Sequence, residues 1–216
     1  MRGPALIAFT KEVKMAPSPT VSSQAFQTAL KVGRPPSIQR LFPNSKALLV
    51  SGGFIDKAMQ AKGNAISIAA NGRSHLIIRG VLKAAQRANA ALIIEIAKSE
   101  GGASAYCPVN YWNIARQVDA LCNEMGIGIP IALHADHYGI KGDADIAAAK
   151  VEIPSIFDAG ITSIAIDASH LPDDQNLLAS IALRPFVPQW ASLETEVGEI
   201  KGKLGLSTVE EALFLI

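Results

Sequence analysis

Ile129-Pro130-Ile131-Ala132-Leu133-His134-Ala135-Asp136-His137 is an apolar run whose last four residues include three that can titrate. Apolar side chains at successive positions suit a strand buried on both faces, the kind found in parallel sheets covered by helices. The polar end marks where the chain leaves the core. The same pattern recurs on either side. Upstream, residues 91–96 (ALIIEI) run into Ser99-Glu100-Gly101-Gly102, and downstream, residues 161–167 (ITSIAID) run into Ala168-Ser169-His170.

Helical spacing fills the gaps. Ile114, Val118, Leu121, Cys122 and Met125 share one face, and Gly126 stops that helix. Ser74 is placed to cap a helix through Ile78, Val81, Leu82 and Ala85. Asp143 opens an alanine-rich helix that Pro154 is expected to break or kink. Residues 173–183 read as a weak helix. Ile66–Ala70 and Trp190–Val197 read as the first and fifth strands, and Ser207 with Glu210 as a capping box for a last helix.

Strand and helix alternating at this spacing mean parallel βαβ units. The expectation is an α/β fold, a (β/α)8 TIM barrel of which the chain holds about the first five units. The sequence stops at Phe214-Leu215-Ile216 within an apolar, uncapped helix, so residues 45–216 are expected to be the N-terminal part of a larger barrel. Residues 1–44 carry Pro17, Pro19, Pro35, Pro36 and Pro43. They read as an extended arm or oligomer contact with one short helix around Ser23 to Lys31.

Composition narrows the function. The chain has 216 residues, 49% hydrophobic, with a net charge of +1, which supports a sizeable core and points away from nucleic acid. No apolar run reaches the roughly 20 residues of a membrane helix. Cys107 and Cys122 form neither a disulfide framework nor a metal clip, so a reduced cytoplasmic setting is expected.

In such a barrel, chemistry sits at the C-terminal strand ends. Those ends carry Asn71, Ser99, His134 to His137, Asp167 and Glu194 to Glu196. His134 and Asp136 share one strand face, and His137 emerges near its end. Imidazole with a neighbouring carboxylate suits a metal or acid–base catalysis. The plain alternative is a pair of histidines satisfied by core hydrogen bonds. Asp167 reads equally as a capping aspartate. Glu194 and Glu196, facing the same way inside a barrel, need a cation or donors, the plain alternative being an exposed edge strand.

These residues resemble class II fructose-bisphosphate aldolases. Residues 129–137 are similar to that family's Pro-Val-x-Leu-His-x-Asp-His. Residues 159–170 (AGITSIAIDASH) resemble its Ala-Gly-Phe-Thr-Ser-Val-Met-Ile-Asp-x-Ser-His, residues 193–198 its Glu-x-Glu-Leu-Gly, and residues 99–104 its Ser-x-Gly-Gly-Ala. The resemblance implies a zinc enzyme that cleaves fructose 1,6-bisphosphate to dihydroxyacetone phosphate and glyceraldehyde 3-phosphate in glycolysis and gluconeogenesis. His137 would be a zinc ligand and Asp136 the catalytic acid. Asp167 and Glu196 would belong to a second, alternative metal position, and Asn71 and Ser99 would contact substrate. The implied partners are a sugar bisphosphate and, for a full-length barrel, further copies of the chain.

In relatives the other two zinc histidines lie in His-Gly segments on later strands, which these 216 residues do not contain. A Gly-Gly-x-Glu-Asp loop is also missing, with Glu199 as the candidate stand-in. Other readings are a tagatose- or other ketose-bisphosphate aldolase and a non-catalytic barrel fragment. A hydrolase using zinc-bound water would want a His-x-His pair where Asn71-Gly72 stands.

Overall fold

The computed structural model describes residues 23–197 and 207–215. Three helices lead the chain: α1 (Gln24–Gly33), α2 (Pro36–Leu41) and α3 (Gly52–Lys62). The alternating part follows as β1 (Ile68–Asn71), α4 (His75–Ala88), β2 (Leu92–Ala97), α5 (Lys98–Gly101), α6 (Ile114–Met125), β3 (Ile131–Gly139), α7 (Asp143–Asp158), β4 (Ser163–Asp167), α8 (Asp173–Leu183), β5 (Ser192–Thr195) and α9 (Val209–Phe214).

The five strands form one parallel sheet in sequence order, with β1 and β5 at its edges. This is the order of the first five units of a (β/α)8 barrel, as expected. Leu92, Ile94 and Ile96 of β2 are buried and pack toward the helices, whereas Ile93 and Glu95 line the inner face. Ile131, Leu133, Ala135 and Tyr138 of β3 join that same outer core with Ile164 and Ile166 of β4 and with Ile78, Leu82, Val118 and Ile153 of the helices. Parallel strands joined by helices must cross over the sheet, which places this apolar layer between the two.

Caps hold where the sequence placed them for α4 and α6. Ser74 Oγ accepts from the Ile77 amide at 3.3 Å, and Gly126 ends α6 in the left-handed region. Several boundaries differ from expectation: β1 runs Ile68–Asn71 rather than Ile66–Ala70, and β5 Ser192–Thr195 rather than Trp190–Val197. Pro154 lies inside an unbroken α7. It forfeits one backbone bond, but the buried Ile153, Ile156 and Phe157 anchor the turn on both sides of it. The last helix starts one residue late: Thr208 and Glu211 form the reciprocal capping box, while Ser207 donates to the Val197 carbonyl at 3.0 Å. The third strand begins after Pro130 and extends to Gly139, two residues past His137, where the strand was expected to end.

Of the expected arm, residues 1–22 lie outside the described residues. The remainder packs on the barrel wall. Ile38 enters the main core, and Phe26 joins Leu48, Val50, Ile55 and Ala132 in a second cluster. Arg34 is buried and donates to the carbonyls of Ile38 and Phe42, the latter at 2.6 Å, satisfying the end of α2. Val50 bonds to Ile131 at the start of β3, so this layer closes the end of the sheet opposite the polar strand ends. Gly52 is required there, because a Cβ would overlap Ser163 and Ser192. Among the described residues no helix is long and apolar enough to cross a membrane.

Candidate metal centre

The corner is built by an irregularity in β3. Ala135 pairs with Ile164 and Tyr138 with Ile166, so Asp136 and His137 together stand opposite Ala165 alone. This is a β-bulge, and it resets the alternation of side chains. Ala135 and Tyr138 both face the helix layer. Asp136 and His137 are left on the inner side and rim. His137 has φ 42°, one of two positive-φ residues other than glycine among those described. Such a conformation costs on the order of 1–3 kcal/mol and persists where the surroundings over-determine it.

Neighbouring strand ends converge on this histidine. His137 Nδ1 lies 2.9 Å from Glu196 Oε1 and 3.2 Å from Asp167 Oδ2, and its Nε2 lies 3.8 Å from Asp136 Oδ2. Donor atoms of Asp136, His137 and Glu196 all fall within 4.8 Å of one another, the only such group among the described residues. A divalent ion with bonds of about 2.0–2.2 Å takes one imidazole and carboxylates readily. Small side-chain rotations would close these donors around it, so the residues present fit a zinc ion.

The charges show the same crowding. Glu196 is pushed up by burial and by Asp167, with His137 opposing. Burial would lower His137, but its hydrogen bond to the Asp167 carboxylate and the charges of Asp136 and Glu196 raise it overall. Burial would raise Asp167, yet the hydroxyl and amide of Ser169, at 2.6 and 3.1 Å, and His137 bring it below the usual carboxylate range. A cation held here would relieve the repulsion among these acids.

His134 has a different fate. It is buried, its Nδ1 meets Ser163 Oγ, and its Nε2 is 3.6 Å from Glu194. Burial lowers its pKa to about 4, so it is neutral near pH 7. It takes the alternative of a satisfied interior histidine. With Asp56, Glu95, Asp136 and Glu194 it lines an inner chamber of about 380 Å³ below the corner.

Asn71 sits at the end of β1, with its amide closed into a ring. Its Nδ2 donates to Glu100 at 2.6 Å, its Oδ1 accepts from Arg73 Nε at 2.9 Å, and Arg73 pairs with Glu100 at 2.7 Å. Ser99 is exposed on α5. Glu199 lies outside the described residues. Sequence reasoning missed Glu95, which pairs in register with His134, and Asn176, whose amide holds the Glu196 carbonyl at 2.8 Å. Asn176 had a legible signal. It shares the buried stripe of α8 with Ala179, Ser180 and Leu183, where a polar residue needs a reason.

The family model described as fructose-bisphosphate aldolase class-II matches residues 54–214. A fructose-bisphosphate aldolase of Staphylococcus aureus (strain Mu50 / ATCC 700699) is 29% identical over 126 residues, 58% of this chain and 40% of the relative. One of Streptococcus pneumoniae serotype 4 is 34% identical over 127 residues, 58% of this chain and 38% of the relative. The aligned stretch thus spans less than half the length of these curated relatives. Among solved structures, a fructose-bisphosphate aldolase of Campylobacter jejuni aligns with TM-score 0.52 at 25% identity, covering 73% of this chain and 49% of that one. A probable tagatose 6 phosphate kinase of Sinorhizobium meliloti 1021 aligns with TM-score 0.52 at 19% identity, covering 70% and 43%, a likeness of fold.

Proposed function

The chain belongs to the class-II fructose-bisphosphate aldolase family, and from that premise we propose that it carries the metal-and-acid corner of a zinc-dependent aldolase acting on fructose 1,6-bisphosphate. The observation that supports this reading most directly is the convergence of Asp136, His137 and Glu196 at the β3 bulge. His137 would hold the ion, with Asp167 and Glu196 at an alternative position beside it and Glu196 near enough to join His137. When bound, zinc supplies Lewis-acid stabilisation of the negative charge that develops on the ketone half of the substrate.

Asp136 does the proton work. In cleavage its carboxylate takes the proton of the C4 hydroxyl while the C3–C4 electron pair moves to the ketone half. In condensation it returns that proton to the aldehyde oxygen. Asp136 lines the inner chamber below the rim, so it would stand beside a bound ion, and no lysine Schiff base would be needed. Asn71 and Ser99 would meet the substrate from the β1 and β2 ends. Products are dihydroxyacetone phosphate and glyceraldehyde 3-phosphate, a glycolytic interconversion suited to the cytoplasm and to a homo-oligomeric full-length barrel.

The test is zinc content and aldol cleavage of fructose 1,6-bisphosphate, with and without a chelator, for the chain and for Asp136→Ala. The expected result is chelator-sensitive cleavage that falls about 10²–10⁴-fold in the variant while zinc is still bound through His137 and Glu196. Chelator-insensitive turnover, or full activity in Asp136→Ala, would sink the reading.

A further inference from the structure

The bulge is gripped from its outer side by three segments that contribute no side chain to the metal corner. Tyr111, from the loop before α6, donates its hydroxyl to the Asp136 carbonyl at 3.4 Å and stacks on Tyr138 with ring centroids 6.4 Å apart. Tyr138, the residue after His137, donates to Glu152 of α7 at 3.0 Å. Lys98, the first residue of α5, places its ammonium 4.1 Å over the Tyr138 ring and donates to the Gly139 carbonyl at 3.1 Å. Both tyrosines are fully buried. The second oxygen of Glu152 is buried with no partner, so the Tyr138 hydroxyl is what holds that carboxylate.

The Asp136 carbonyl before His137, and the Tyr138 side chain and Gly139 carbonyl after it, are thereby held while His137 itself faces the rim. That matters because a bulge can migrate. A one-residue slip along β3 would return the strand to plain alternation and turn His137 toward the helix layer. The ammonium over the ring and the carbonyl contact oppose that slip, since Tyr138 must stay outward for both to survive.

We propose that Lys98 and Tyr138 are positioning residues that lock the bulge in register and so aim Asp136 and His137 at the ion. Lys98 opens the same short helix that carries Ser99 and Glu100, and Glu100 in turn holds Asn71. Lys98 therefore also couples the β1–β2 side of the rim to the metal side. The effect on metal binding rests on the zinc reading of the corner, whereas the effect on the bulge does not.

Two measurements separate these. The first is metal-free: backbone carbon chemical shifts of residues 136–139 report the positive φ of His137. The second is the zinc dissociation constant by chelator competition. Lys98→Met keeps the apolar stem and removes the cation. It is expected to lose or average the positive-φ signature and to weaken zinc binding about 10–100-fold, the range seen for partners one shell out from a ligand. Lys98→Arg, which can still stack and donate, restores both. Lys150→Met, an equal charge loss on the exposed side of α7, changes neither.

Unchanged shifts in Lys98→Met overturn the proposal, even if its melting point falls, because then the lysine is only structural. Wild-type protein that takes up no zinc overturns the metal reading instead, and the shift measurement still decides the clamp. Tyr138→Leu, which removes the ring under the ammonium, should behave like Lys98→Met, and should it fail to fold, Lys98→Met carries the test alone.

Discussion

β3 reads very differently on the two sides of its bulge. Before it, His134 is packed in the interior, neutral, and satisfied by Ser163. After the start of it, His137 stands at the rim with a half-exposed ring among three carboxylates. Two residues of one type, three apart on one strand, have opposite jobs. Burial sets the first, favouring the uncharged ring. Crowded carboxylates set the second, favouring a proton or a metal. What separates them is one extra residue in the ladder, not residue chemistry.

The sharpest way to break this contrast is His137→Gly. Glycine accepts the positive φ freely, so the metal-free protein should change in stability by less than about 1 kcal/mol. Zinc affinity should fall by more than the roughly 100-fold upper range of outer-shell partners. Equal zinc binding by this variant would mean that the carboxylates alone hold the ion.

His134→Ala should do the reverse. It opens a cavity and leaves Ser163 without its partner, at a cost of about 2–4 kcal/mol by urea unfolding, while zinc affinity of the folded protein stays the same. Asn176→Ala is milder. Losing the bond to the Glu196 carbonyl should cost about 1–2 kcal/mol and weaken zinc binding several-fold, read by the same chelator competition.

The pH dependence of the metal-free protein sharpens the comparison last. His134 is depressed to about 4, so the unfolded chain binds the extra proton first. Stability from this residue is present above about 6.5 and is lost as pH falls toward 4. His137 is raised, so its contribution is present below about 6.5 and is lost as pH rises through its elevated value. Urea midpoints from pH 4 to 9 should show both limbs. His134→Ala should flatten the acid limb and His137→Gly the alkaline one. Zinc competes with the proton at His137, so its affinity should rise across the alkaline window.

Much of the fold was legible because its signals are local. Apolar runs with polar ends marked the strands, and Ser74 and Gly126 marked helix ends by their own hydrogen bonds and dihedrals. Pro154 misled, because a single lost backbone bond weighs less than three buried side chains around it. The capping register at residues 207–211 was ambiguous, since the run Ser-Thr-Val-Glu-Glu allows two boxes, and contact of Ser207 with Val197 chose between them.

By itself the sequence determined the alternation of strands and helices, the order of the sheet and the polar exits of the strands, while the choice of Asp136, His137, Asp167 and Glu196 among those exits is what the family resemblance implied. Residue type and spacing carry the first three, because burial on both faces and a polar exit are properties of each segment alone. The family resemblance singled out His137, but only the tertiary structure decided how it reaches the rim while His134 stays inside. That placement rests on the register of β3 against β4 and on Tyr111, Lys98 and Glu152 arriving from three distant segments to hold Tyr138 outward. A period-two strand pattern contains no such contacts, so the bulge becomes visible only when those segments meet.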